Sequence, residues 1–189
     1  MMILTDCDGV LVNWIKIYNE WMEEEGYHKL NSSYELHERY GLPEEESDKY
    51  IRHFNMSAEI EHLPPHKDAI KYVRKLHEEH GATFHCITAL GRNKRSHVLR
   101  EKNLKNLFGP TAFSKIDCVA RGKHKRPVLE KYRDTEAIWV EDSIKTALMG
   151  YELGLTTFLM NHEYNINEDI PDGIIRVNSW KDIYETIFG

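Results

Sequence analysis

Two carboxylates, Asp6 and Asp8, end an apolar run in the segment ILTDCDGVLV (3–12), and Gly9 follows at once. Like charges this close repel one another, so the pair marks either a turn or a reaction centre. Three further segments place polar groups directly after short apolar runs. These are Thr88-Ala89 at the end of TFHCIT, the basic stretch RGKHKR (121–126) after KIDCVA, and Glu141-Asp142-Ser143 after AIWV. Together they offer acidic groups, a hydroxyl and a cation. Several carboxylates gather at neutral pH only when a cation neutralises them, and hard oxygen donors select Mg²⁺. Such a site attracts a phosphate dianion. A carboxylate is a competent nucleophile toward phosphorus and can form an aspartyl phosphate. Phosphoryl transfer then needs mainly positioning and charge neutralisation, which a lysine, a hydroxyl and backbone N–H groups supply. A second carboxylate two residues on can protonate the leaving oxygen and later deprotonate water.

The elements that must position these residues alternate along the chain. MILT (2–5), TFHCIT (83–88), KIDCVA (115–120), AIWV (137–140) and TTFLM (156–160) read as strands, with GIIRV (173–177) as a further edge strand. Amphipathic segments 66–80 and 143–153 read as helices, stopped by Gly81 and Gly154. This alternation is that of an α/β fold, a Rossmann-like parallel sheet with helices on both faces, whose ligands sit at the carboxyl ends of the strands. The interval 13–63 breaks the alternation. It reads as helical throughout, with WIKIYNEWMEEEG, SSYELHERYG and PEEESDKYIRHF, and Leu63-Pro64-Pro65 closes it. The expected organisation is a core of 1–12 and 64–189 with a small helical cap, 13–63, inserted after the first strand. The plainer alternative is that these helices simply pack on the sheet.

In order, DCDGV, ITA, a lysine-bearing helix start and WVEDS resemble the four motifs of the haloacid dehalogenase-like (HAD) phosphohydrolase superfamily, over nearly the whole chain. The resemblance implies a phosphomonoesterase with Asp6 as nucleophile and Asp8 as general acid/base. Thr88 would hold the phosphoryl group. Asp142 would complete a Mg²⁺ shell with Asp6 and the backbone carbonyl of Asp8. Dehalogenases of the superfamily lack the second aspartate, so Asp8 points to a phosphatase. For the lysine, Pro127 favours the first helical turn, which selects Lys125 ahead of Lys123, with Lys131 facing solvent. Glu141 reads as a neighbour of the metal shell. The stretch EIEHLPPHKDAIKYVRKL before ITA resembles the 5′(3′)-deoxyribonucleotidase branch, which implies nucleoside monophosphates as substrates. Trp14, Tyr18 or Trp21 could stack on a base, but at helical spacing they read first as cap core.

The segment GRNKRSHVLR (91–100) can grip a phosphate or form the solvated face of a helix. The second reading leads, with Arg92 and Lys94, nearest the strand end, as the exceptions. Ala89 and Arg92 join Thr88 and Lys125 as expected substrate contacts. The chain of 189 residues carries a formal charge of −6, which counts against nucleic acid as a partner, although a nucleic-acid end stays open as an alternative substrate. Apolar runs are too short to cross a bilayer, and Cys7, Cys86 and Cys118 show no zinc spacing, so a cytoplasmic protein with structural cysteines is expected. The eleven histidines read as surface residues. Two other classes compete: a signalling receiver, which would carry its acceptor on a central strand, and a silent module that binds phosphate and Mg²⁺.

Overall fold

A computed structural model describes residues 1–120 and 125–189. Six strands form one all-parallel sheet in the order β3-β2-β1-β4-β5-β6. They are β1 Met2–Thr5, β2 Thr83–Thr88, β3 Phe113–Cys118, β4 Ile138–Glu141, β5 Thr156–Met160 and β6 Ile174–Val177. The fold is the expected α/β parallel sheet. β1, β2 and β5 span the residues read from the sequence, whereas β3 starts two residues earlier than expected, because Phe113 already pairs with Phe84.

Burial on both sides explains the near-continuous apolar runs, since a parallel sheet is covered by helices on each face. Alternate residues feed two cores. Ile3, Phe84, Cys86, Val140, Phe158 and Met160 pack on one face, under α4 (Ala69–His80), α5 (Lys94–Phe108) and α8 (Trp180–Phe188). Leu4, Ile87 and Trp139 point the other way, toward Leu129 of α6 (Arg126–Leu129) and Leu153, just past α7 (Ile144–Glu152). Each fully buried side chain of this kind contributes roughly 1.5–3 kcal/mol.

Between β1 and α4 lie α1 (Trp14–Glu24), α2 (Leu36–Tyr40), α3 (Glu44–Met56) and a 3-10 turn (Ala58–Glu61). The interval is therefore not helical throughout, as 25–35 lies outside any helix. Side chains compete for the backbone there. Asn31 and Ser33 accept from the amides of Ser33 and Glu35, and Arg39 donates to the Ser33 carbonyl. The incoming and outgoing chains of this insertion are tied together. Asn13 N–H donates to Pro64 O, His66 N–H donates to Leu11 O, and Val12 bridges Pro65 in antiparallel fashion. Tyr18 and Phe54 form the aromatic centre of the insertion, with Trp14 stacked on Tyr18 and Trp21 tilted against both. Tyr18 and Trp21 thus pack within this segment.

Candidate active site

Register along the sheet places the expected residues side by side. Thr5 pairs with Val140 and with Cys86, so Asp6 leaves β1 beside Glu141 and the end of β2. The Asp6 amide still donates to Val140 O, at 2.9 Å. The Cys7 carbonyl then accepts from the amides of Val10, Leu11 and Val12, which forces a tight reversal. Gly9 sits in that reversal at φ +77°, and a Cβ there would stand 2.2 Å from Asp142 Oδ2. Only glycine lets the loop lie this close to the end of β4.

Asp6, Glu141 and Asp142 each offer a carboxylate oxygen within 4.8 Å of the others, and all three are buried. Lys125 reaches into the group, with Nζ 2.8 Å from Asp6 Oδ1 and 2.9 Å from Glu141 Oε2. It occupies the N-cap of α6, as Pro127 led us to expect. Lys131 is exposed, and Lys123 lies outside the described residues. Cys7 N–H also donates to Asp6 Oδ1, at 2.7 Å. Burial and the nearby Asp6 raise both Glu141 and Asp142 above the ordinary carboxylate range, against the pull of Lys125. Burial works against the Lys125 charge, but Asp6 and Glu141 outweigh it and hold the ammonium above its usual range.

The donor set suits a hard divalent cation. It consists of carboxylate oxygens gathered within reach of one another, and a positive charge would relieve their repulsion. Asp8 turns elsewhere. Its Oδ1 pairs with Arg100 at 2.6 Å while 31% of its side chain stays exposed, and burial raises its carboxyl above the ordinary range against the pull of Arg100. Thr88 ends β2 fully buried, and its hydroxyl finds no partner among the described residues.

A cavity of about 1070 Å³ opens over this group. Its floor includes Asp6, Asp8, Ala89, Lys125 and Asp142, and Arg92 stands exposed on its wall. Trp14, Ile51 and Asn55 of the inserted helices line the opposite side. Trp14 Nε1 donates to Asn55 Oδ1 there, at 2.9 Å.

Two readings need correction. Arg100 is not on a solvated helix face but fully buried, because the α5 stripe of Leu99, Arg100, Asn103 and Leu104 packs inward. Arg95 is exposed as expected, and Lys94, read as an exception to the solvated face, is exposed as well. His66 and His85 are not surface residues either, at 4% and 1% exposure. His85 is satisfied by Tyr132 and Asp117, whereas neither nitrogen of His66 finds a partner among the described residues.

The loop after β5 adds residues that the sequence reading missed. The Tyr164 hydroxyl donates to Asp142 Oδ2, Asn165 Nδ2 donates to Asp142 O at 2.8 Å, and His162 Nε2 meets Gly9 O at 2.7 Å. Their signal was present in NHEYN (161–165), which follows a strand end just as the other site segments do.

No family model matches the chain. It is similar to an uncharacterized 32.4 kDa protein from the Gp30-rIII intergenic region of Enterobacteria phage T4, with 26% identity over 203 residues that span 98% of this chain and 69% of that protein. Among solved structures it is similar to a haloacid dehalogenase-like family hydrolase from Streptococcus pneumoniae, at 16% identity and TM-score 0.68, covering 98% of this chain and 97% of that one. It is also similar to CbbY from Rhodobacter sphaeroides in complex with phosphate, at 14% identity and TM-score 0.63, covering 96% and 95%. At these identities the likeness establishes the fold, which is that of HAD-like hydrolases.

Proposed function

We propose that the protein is a Mg²⁺-dependent phosphomonoesterase that works through an aspartyl phosphate on Asp6, with nucleoside monophosphates as substrates in the manner of 5′(3′)-deoxyribonucleotidases. The observation that carries this reading is the buried group of Asp6, Lys125, Glu141 and Asp142, gathered at neighbouring strand ends under one cavity. The fold shared with HAD-like hydrolases supports it.

Asp6, Asp142 and the backbone carbonyl of Asp8 are the groups that would hold Mg²⁺, which would neutralise the carboxylates and polarise the phosphoryl oxygens. With Oδ1 of Asp6 held by Lys125 and Cys7 N–H, Oδ2 attacks phosphorus and the ester P–O bond breaks. Asp8 gives its proton to the leaving oxygen. Asp8 then takes a proton from water as that water attacks the phosphorus, which releases phosphate and restores the Asp6 carboxylate. Lys125, the Thr88 hydroxyl and the Ala89 backbone N–H bind the phosphoryl oxygens, and Arg92 meets the substrate farther out.

The segment 13–63 acts as a cap on a core of 1–12 and 64–189. Tied pairing at Val12 and Pro65, and a cavity wall that includes Trp14 and Asn55, support that division. Trp14 is the aromatic surface on which a base would stack. The test is phosphate release from nucleoside 5′- and 3′-monophosphates, sugar phosphates and phosphorylated oligonucleotides, with Mg²⁺ or EDTA and Asp6→Asn as blank. Magnesium-dependent release confined to deoxynucleotides supports both chemistry and substrate. Release confined to sugar phosphates or oligonucleotide ends keeps the chemistry and replaces the substrate. Silence on every ester overturns the reading in favour of a binding module.

A further inference from the structure

The inward face of α5 carries a charge that packing alone does not call for. Arg100 is fully buried, and its Nη1 lies 2.6 Å from Asp8 Oδ1 and 2.7 Å from Cys7 Sγ. Its Nε and Nη2 find no partner among the described residues. A guanidinium that gives up much of its hydrogen bonding in the interior does not serve stability well, since an apolar side chain of similar volume commonly does as well or better there. What the charge does achieve is a fixed direction for Asp8. That carboxylate sits on the reversal beside Gly9, with 31% of its side chain exposed to the cavity, where it would otherwise be free to turn.

Resting on the phosphatase reading above, we propose that Arg100 is a positioning residue, which holds the Asp8 carboxylate in the direction from which it exchanges protons with the leaving oxygen and with water. Asp8 has two duties in that reaction, and esters with different leaving groups separate them. An alkyl phosphate needs a proton on its departing oxygen. p-Nitrophenyl phosphate does not, because the P–O bond breaks to release a stable phenolate and leaves Asp6 phosphorylated. Hydrolysis of that intermediate still needs Asp8 to take a proton from water.

The experiment compares wild type, Arg100→Met, Arg100→Lys, Asp8→Asn and the double variant Arg100→Met/Asp8→Asn, with Mg²⁺, on p-nitrophenyl phosphate and a nucleoside monophosphate. For Arg100→Met, kcat on the nucleotide is expected to fall by about 10²-fold, with little change in KM. On the aryl ester it should release one phenolate per protein in a burst and then turn over slowly. Arg100→Lys, which keeps the charge, should regain part of the loss. In the Asp8→Asn background, replacing Arg100 should cost no further activity. The double variant, which leaves no unpaired buried charge, provides this comparison even if Arg100→Met folds poorly. Additive losses, or equal losses on both esters without a burst, would overturn the proposal. So would wild-type rates in Arg100→Met. A wild-type protein that hydrolyses neither ester would overturn the phosphatase reading as well.

Discussion

Single residues at the site are under unusual constraint, and three substitutions expose it. Asp6→Asn keeps the volume and removes the nucleophile, so phosphate release should vanish while the circular dichroism spectrum and thermal unfolding midpoint stay close to wild type. Gly9→Ala should do the opposite, harming fold and site together. The left-handed conformation alone costs about 1–2 kcal/mol for an L residue, and the added Cβ would collide with Asp142. Thermal unfolding should show a clear fall in the midpoint, and a variant with wild-type stability and Mg²⁺ response would refute the argument. His66 is constrained differently. Burial, with help from His162 and Lys67, lowers its pKa to about 3. The folded protein therefore keeps His66 neutral, while the unfolded chain protonates it below its ordinary value of 6.5. The resulting stability is fully present above pH 6.5 and is lost as pH falls toward 3, by up to about 1.4 kcal/mol per pH unit. Denaturant unfolding of wild type and His66→Phe between pH 7 and 4 checks this. The wild type should lose ground to the variant steadily as acid is added, and a constant difference would contradict the pKa shift.

At the scale of elements, the loop after β5 is the part that completes the site from outside its expected segments. It clamps Asp142 through Tyr164 and Asn165, and it reaches Gly9 through His162. Tyr164 also contacts the insertion, with its ring 5.3 Å from that of Tyr34, and Ser32 donates to Glu163 at 2.7 Å. Groups that orient a metal ligand commonly change metal affinity 10–100-fold when removed. Tyr164→Phe should accordingly weaken Mg²⁺ binding by roughly tenfold in a calorimetric titration while the phenyl ring keeps its stacking on His162. Unchanged affinity would mean that the Asp142 direction is set by the strand end alone.

For the whole molecule, the decisive quantity is the negative charge gathered under the cavity. Among the described residues three buried carboxylates face one ammonium, so a divalent cation should stabilise the folded chain over the unfolded one. At a Mg²⁺ concentration 100 times the dissociation constant the gain is about 2.7 kcal/mol, or several degrees in the unfolding midpoint for a chain of this size. Differential scanning calorimetry with Mg²⁺ and with EDTA measures it, and Asp142→Asn should lose most of the increment. No helix among the described residues is long and apolar enough to cross a membrane.

By itself, the sequence determined the strands and the segments that end them. MILT, TFHCIT and TTFLM are readable because a sheet covered on both faces needs apolar residues at every position, and a polar residue after such a run stands at the edge where ligands bind. That logic, together with the motif resemblance, singled out Asp6, Thr88, Lys125 and Asp142 as candidates. Only the tertiary structure decided which distant side chains meet. The charges of α5 look alike along the chain, yet the packing of Leu99 and Leu104 turns Arg100 inward to Asp8 while Lys94 and Arg95 remain in water. Tyr164 reaches Asp142 because β4 and β5 are neighbours in register. His66 is buried because the two chains at the base of the insertion pair across Val12 and Pro65. Periodicity reports how a segment is buried, but it carries no record of its partner, and partner choice is set by the register of the sheet and the packing of helices upon it.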